Sequence, residues 1–388
     1  MSSPAPRRDS SRTVRISISG DGGESAAPYV HYLILDGAND ASGAIELASD
    51  RRLTIGRGAA ADHQISDPGA SSLHAILGID GTRVVVTDLG STNGTFLDGK
   101  RISGPTELPI GARLQIGRTI LRHELRSREE IDRQSRVAEE LAAARRYVEA
   151  LLPEPRTRGP VRTNWTFVPC AALAGDAFGT IDIDADAVGI FLIDVAGHGA
   201  RSALHSVSVV NILRNRSLPH ADFRDPAAVL ARLNDAFPME QHDGLFFTMW
   251  YGVYDARSRR LTYGAAGHPA ALLREPGAAP LRALKTPGPP IGAFENASFV
   301  GASTEIVPGS RLYVFSDGVY EIVAKDGRNW SQVDFAQAVT DGRTPGKRES
   351  RHLYETVLGA SRTEHLDDDF SLLIAEFSQE SSEGSTEI

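Results

Sequence analysis

The fifteen residues Ile190–Leu204, IFLIDVAGHGARSAL, decide how the C-terminal half of this 388-residue chain is read. An apolar run ends in Asp194, glycines follow at Gly197 and Gly199, and a helical pattern begins at Arg201. A run of that length bounded by glycine reads as a buried strand, so the turn delivers Asp194 to the strand's exposed end. A carboxylate there can hold a metal.

Outward from this stretch, the same design recurs. Eighteen residues upstream, LAGDAF places Asp176 behind a small-residue turn. Downstream, RLYVFSDG runs from Arg311 through Asp317 to Gly318 as an apolar strand followed by Asp and Gly. Near the end, LDDDFSLLIAEF sets Asp367, Asp368 and Asp369 immediately before a strand. Four acidic sites at element ends, with no comparable His or Cys cluster, make an all-oxygen set that suits Mg²⁺ or Mn²⁺ better than zinc. Taken singly, an Asp beside a strand is usually a turn or cap residue. The metal reading rests on the four together.

The ordered motifs AGDAFG, DVAGHGARSAL, AAGHPAALL, PGPPIGA, LYVFSDGVYEI and DDDFSLLIAEF, spread over Val161–Phe377, resemble the SpoIIE-type branch of the metal-dependent Ser/Thr protein phosphatases, the type 2C superfamily. The resemblance implies a four-layer α/β/β/α sandwich of the α+β class. It implies two Mn²⁺ or Mg²⁺ ions, with Asp176 on one, Asp194 bridging both, the Val195 carbonyl as a further ligand, and Asp317 and Asp368 completing the pair. Asp368 is preferred over Asp367 and Asp369 because the family pattern is Asp-Asp-x-Ser/Thr, which leaves Asp369 to orient its neighbours. Two cations ~3.5–4 Å apart activate water for in-line attack, so no Ser, Cys or His nucleophile is required. His198 is open to a general-acid role or a plain turn position, and His268 reads as a turn brace. The chain departs from the family's Glu-x-Gly-Gly-Asp-x-Tyr-Asp stretch at Ala172, Ala174 and Gly179. Lost acids around Asp176 leave room for low activity.

Composition sets the outer bounds. At 41% apolar and 23% charged residues the chain is ordinarily globular, and its length allows two or three domains. A net charge of −9 argues against a general nucleic-acid binder. The single cysteine, Cys170, cannot close an internal disulfide, which fits a reducing cytoplasm, and no apolar stretch approaches membrane-helix length. Residues 1–28, rich in Ser, Arg and Pro, read as a disordered tail, as does the acidic segment 379–388.

Residues 29–125 show short β-type runs between turns rich in Gly, Asp, Pro and Ser, the pattern of an all-β sandwich. Three loops stand out: Ile55-Gly56-Arg57, Ser71-Ser72-Leu73-His74, and Gly90–Phe96, GSTNGTF. In this order they resemble a forkhead-associated (FHA) domain, whose members bind phosphothreonine peptides. Arg57 can make a forked, charge-assisted bond to a phosphate, and Ser71, Ser72 and Thr92 can donate hydroxyl hydrogen bonds. The resemblance gives Asn93 the peptide main chain. Gly56, Gly90 and Gly94 read as turn residues needing positive φ, and His74 as a buried residue holding the loops. The family often carries Arg or Lys where Ser72 stands.

Between the domains, residues 126–155 lose Gly and gain charge. Val137, Leu141, Ala144, Val148 and Leu151 recur at 4-3-4-3 spacing, a narrow helical stripe stopped by Pro153 and Pro155. A spacer helix packed on its own domain and a short dimerising coil both fit. The phosphatase region is 156–378. The whole reads as a metal-dependent phosphatase acting on phosphoserine or phosphothreonine of a bacterial signalling protein, for example an anti-sigma-factor antagonist in partner switching. The FHA domain would bind a phosphothreonine-bearing kinase or regulator. Two alternatives remain: a catalytically silent scaffold working through the FHA domain, and a hydrolase of small phosphate esters.

Overall fold

The computed structural model describes residues 29–35, 44–49, 51–277, 280–342 and 348–378; both tails read from the sequence lie outside them. The described residues form two compact units that divide between Ala138 and Glu139. The division falls inside the helix Arg128–Glu149 rather than at either of its ends.

The first unit is a sandwich of two sheets. One runs in the order Ile45–Leu47, Tyr29–Leu35, Thr119–Ser127, Arg113–Ile116, Thr95–Leu97, Lys100–Arg101. The other runs His63–Gln64, Leu53–Gly56, Ala75–Asp80, Arg83–Asp88, Thr106–Leu108. Along Arg83–Asp88 the buried positions are Val84 and Val86, and along Ala75–Asp80 they are Ala75 and Leu77. This period of two gives each strand one core face, where these residues meet Leu33, Ile55, Leu114 and Ile116. The helix Arg128–Glu149 buries none of its residues, and Val137 and Leu141 of the apolar stripe are exposed.

The second unit has two five-stranded antiparallel sheets. One is ordered Ala177–Asp182, Ala187–Val195, Phe247–Asp255, Arg260–Ala266, Ala302–Glu305; the other Val161–Val168, Phe370–Phe377, Arg311–Phe315, Ala271–Arg274, Arg282–Leu284. Both faces of Ala187–Val195 are covered, which is why it reads as a continuous apolar run. Phe191, Ile193 and Val195 pack with the helices Ala200–Arg214 and Pro226–Ala236, while Val188, Ile190 and Leu192 meet Leu273, Val314 and Leu373 of the opposite sheet. Fully burying side chains of this size stabilises by roughly 1.5–3 kcal/mol each. The helices Gln332–Asp341 and Glu349–Ala360 cover the second sheet through Phe335, Leu353 and Val357. The layers are therefore α/β/β/α.

Local chemistry sets the helix starts. Asp225 accepts from the Ala227 amide ahead of Pro226, and Ser331 and Asp334 form a reciprocal capping box. By contrast, Ala200–Arg214 starts behind Gly199 at φ +94° with no side-chain cap. The glycine supplies the left-handed entry that carries the chain from the Asp194 strand into the helix.

The strand Ala177–Asp182, sequence AFGTID, carries no recognisable strand pattern, because its small residues read as a continuation of the Asp176 turn. Its neighbour imposes the structure, pairing with it over six positions from Ala177↔Ile193 to Asp182↔Val188.

Candidate metal centre and phosphopeptide loops

Antiparallel register brings the four aspartates to one end of the second unit. Ala177 pairs with Ile193, which puts Asp176 beside Asp194. Phe315 pairs with Leu372, which puts Asp317, at the start of the one-turn helix Asp317–Val319, beside Asp368. The facing of the two sheets then unites the pairs.

The electrostatics follow from that crowding. Asp176 is 3% exposed and one of its carboxylate oxygens has no hydrogen-bond partner. Burial first, then Asp194 and Asp369, hold its carboxyl well above the usual range, against the Ser371 and Ser316 hydroxyls. Asp194 is pushed up to about 7 by burial and by Asp317 and Asp368. Asp317 is pushed up to about 6 by burial, Asp368 and Glu321. Asp368 is raised by burial and Asp369, with exposed His198 drawing it back. Among the described residues no Lys or Arg forms an ion pair with any of the four. Acids held this close without a cationic side chain, one with an orphaned oxygen, fit a hard divalent cation.

Two glycines admit the loops. A Cβ on Gly175 would stand 2.8 Å from the Val195 carbonyl oxygen and 3.1 Å from that of Gly197. On Gly318 it would stand 2.3 Å from the Asp369 carbonyl oxygen. The Val195 carbonyl thus lies against the loop that carries Asp176.

Asp369 is the residue whose role the sequence left least defined. It is 4% exposed, and its two carboxylate oxygens accept from the Cys170 amide at 2.8 Å and the Gly175 amide at 2.9 Å. It holds the loop ending in Asp176, while Asp367 is exposed. The Cys170 thiol lies within 4.8 Å of both Asp368 and Asp369 oxygens. Burial and Asp369 push that thiol up to about 12, so it stays protonated and offers a hard cation little. At Gly179, one of the departures from the family stretch, a Cβ would meet the Phe191 ring at 2.8 Å. Phe191 fills the space an acidic side chain would need.

In the first unit, backbone pairing ties the three loops. The Arg57 amide donates to the Ser71 carbonyl at 2.8 Å and the Gly58 amide to that of Ser72 at 3.0 Å. The Ser71 hydroxyl accepts from the Thr92 amide at 3.0 Å, and Asn93 Nδ2 donates to the Gly69 carbonyl at 2.8 Å. Fully buried His74 accepts from the Ser71 amide and bonds the Gly94 carbonyl. Arg57, Ser72, Thr92 and Asn93 remain exposed and Ser71 half-buried, so guanidinium, hydroxyls and amide face solvent together. Gly90 and Gly94 have positive φ as expected, but Gly56 does not. It is a glycine because a Cβ there would come within 2.2 Å of the Ser72 carbonyl oxygen.

Asp88 shapes the third loop and carried no sequence signal beyond its place at a strand end. It accepts from the Gly90 and Ser91 amides and from the Ser91 and Thr95 hydroxyls. Burial would raise its pKa, but these donors bring it down to about 2.

The fold and the acidic cluster define a phosphatase-type α/β/β/α sandwich joined to an FHA-type sandwich. The model of the family "Stage II sporulation protein E (SpoIIE)" matches residues 184–378, and the chain belongs to that family; the FHA domain model matches residues 53–117. The phosphoserine phosphatase RsbP of Bacillus subtilis is 29% identical over 189 residues, covering 48% of this chain and 46% of RsbP. The FHA domain-containing protein FhaB of Mycobacterium tuberculosis (strain H37Rv) is 38% identical over 96 residues, 25% of this chain and 59% of FhaB. The chain thus spans about half the length of the curated relatives it matches. The SiaA-PP2C domain of Pseudomonas aeruginosa superposes with a TM-score of 0.56 at 21% identity, over 65% of this chain and 100% of that domain. That likeness shows the fold. Among the described residues no helix is long and apolar enough to cross a membrane.

Proposed function

We propose that this chain is a metal-dependent Ser/Thr protein phosphatase targeted by its FHA domain to phosphothreonine-bearing partners. The observation that carries it is the convergence of Asp176, Asp194, Asp317 and Asp368, from four segments at the ends of two sheets, with no Lys or Arg among the described residues paired to them. These residues and the Val195 carbonyl would hold two Mn²⁺ or Mg²⁺ ions, which supply Lewis acidity that acidifies water and offsets charge on phosphoryl oxygens. The protein's own part is positional: Asp369 fixes the loop bearing Asp176, and Gly175 and Gly318 let backbone approach the centre. The name of RsbP, a phosphoserine phosphatase, supports a phosphoserine or phosphothreonine protein as substrate, and a partner-switching protein such as an anti-sigma-factor antagonist fits that class.

In the FHA domain, Arg57, Ser71, Ser72 and Thr92 would receive the phosphate and Asn93 the peptide backbone. We assign 29–125 to this domain, 126–155 to the helical linker and 156–378 to the phosphatase. Exposure of Val137 and Leu141 supports a homodimer through the linker, to be read by sedimentation. The cytoplasm suits a chain with one cysteine.

The deciding experiment is Mn²⁺-dependent hydrolysis of an aryl phosphate and of a phosphoserine protein by the purified chain, with Asp194→Asn and Asp368→Asn as controls. Metal-dependent turnover lost in both variants supports the reading. A folded protein inert across a wide Mn²⁺ range overturns it in favour of a scaffold, and turnover of the small ester alone would make it a small-ester hydrolase.

A further inference from the structure

Asp67 stands in the loop between the strands His63–Gln64 and Ala75–Asp80 and is 4% exposed. Its carboxylate reaches out of its own sheet. Oδ1 accepts from the Gly69 amide at 2.8 Å, while Oδ2 accepts from the Arg118 amide at 2.6 Å, the Thr119 amide at 2.8 Å and the Thr119 hydroxyl at 2.9 Å. Arg118 and Thr119 lie at the turn into the strand Thr119–Ser127, which belongs to the opposite sheet. A carboxylate has about four acceptor sites, so the capacity of this one goes to holding two turns together. The contact also requires its glycines. A Cβ on Gly117, which has φ +64°, would stand 2.9 Å from the Asp67 carboxylate, and one on Gly69 would stand 3.1 Å from the Gly117 Cα.

The turn fixed in this way meets the candidate phosphopeptide loops. The Asp67 carbonyl accepts from the Ala70 amide at 3.0 Å, and the Gly69 carbonyl accepts from Asn93 Nδ2 at 2.8 Å. Among the described residues that is the one hydrogen bond of the Asn93 side chain. Ser71 is tied differently: its amide donates to His74, its carbonyl accepts from the Arg57 amide, and its hydroxyl accepts from the Thr92 amide. The last torsion of an asparagine is broad, so a loose amide exchanges its oxygen for its nitrogen. With Nδ2 held on Gly69, Oδ1 and the second N–H are left in one arrangement for a peptide main chain.

We propose that Asp67 is a positioning residue for phosphopeptide recognition: by clamping the Gly69 turn to the Arg118–Thr119 turn, it holds the carbonyl that sets the orientation of Asn93. Asp67 is buried and acts through Asn93. Arg57, Ser71 and Thr92 have ties of their own and depend on it far less. An amide presented already oriented avoids the ordering cost that a loose side chain meets on binding. The proposal rests on the phosphothreonine-binding reading of this domain.

The test measures affinity by fluorescence anisotropy on the full chain, with labelled phosphothreonine peptides of mixed flanking sequence and their unphosphorylated counterparts. Asp67→Asn sets an amide NH2 against amide donors and is expected to weaken binding about 2- to 10-fold, the range that ordering one side chain costs. In an Asn93→Ala background the same change should cost nothing further, because the group it positions is gone. General loosening of the unit would instead cost affinity in both backgrounds, and a thermal melt reads it directly. If Asp67→Asn does not fold, Thr119→Val, which removes one of the four donors, takes its place in the cycle, and Thr119→Ser should keep wild-type affinity. Wild-type affinity in the folded variant, or an equal loss with and without Asn93, overturns the proposal. If the wild-type chain does not distinguish the phosphorylated peptides, or Arg57→Ala binds them as wild type does, the phosphothreonine reading fails and takes the positioning role with it. If binding needs both phosphate and Arg57 while Asp67→Asn binds normally, the positioning role fails alone.

Discussion

Asp88 in the first unit and Asp194 in the second both sit at strand ends before glycine-containing turns, yet their surroundings act in opposite directions. Asp88 is met by four donors from Gly90, Ser91 and Thr95 and is held down to about 2. Asp194 is met by other carboxylates and pushed up to about 7. An acid ringed by donors is satisfied by its own chain and shapes a loop. An acid ringed by acids is satisfied only by protons or cations, so it marks a place where something must bind. The first unit spends its acid internally and leaves Arg57 and hydroxyls exposed, as the proposed anion site requires; the second gathers acids, as the proposed cation site requires.

The sharpest break of this comparison is chemical. Asp194→Asn should cut Mn²⁺-dependent hydrolysis by more than ~100-fold, beyond what disturbing residues behind metal ligands costs, and a steady-state assay checks it. Next comes the anion-receiving side. Arg57→Ala removes a charge-assisted hydrogen-bond donor worth roughly 1.5–3 kcal/mol, so a phosphothreonine peptide should bind about 10–100-fold more weakly by fluorescence anisotropy. Asp369→Asn tests an acid of the satisfied kind inside the acidic centre. Its new amide faces the Cys170 or Gly175 amide donor, and half-activation should need about 10-fold more Mn²⁺.

The smallest effects are in pH, and they should run in opposite directions. Asp194's folded value of about 7 lies above its ordinary 3.8, so the native state binds the extra proton. Metal-free stability from this residue is full below about pH 4 and lost as pH rises through 7. Thermal melts should therefore show a larger Mn²⁺ stabilisation at pH 8 than at pH 5, and Asp194→Asn should flatten the metal-free slope. Asp88's value of about 2 lies below its ordinary 3.8. Its contribution is present above pH 4 and lost as pH falls toward 2, a slope that Asp88→Ala should remove.

Much of this was legible in the chain because apolar runs and turn residues are local signals. The strands Arg311–Phe315 and Phe370–Phe377 stand where the apolar pattern puts them, and the apolar run before Asp194 belongs to a strand that begins at Ala187. Four aspartates at strand ends were visible for the same reason. The strand Ala177–Asp182 was not, since Ala, Gly and Thr carry little pattern and only pairing with Ala187–Val195 makes them a strand. Gly56 was legible as a glycine of consequence but for another cause, a backbone approach from residues sixteen positions away.

By itself the sequence determined which residue types stand at which element ends: aspartates after and before apolar strands, and Arg57, Ser71 and Asn93 in glycine-flanked loops. Those choices fix the available chemistry, because a side chain's charge and donors travel with it. Only the tertiary structure decided what each acid faces. Register and sheet packing put Asp194 among carboxylates, Asp88 among donors and Asp369 across two amides. Charge interactions and hydrogen bonds depend on distances between residues far apart in the chain, and folding alone sets those distances.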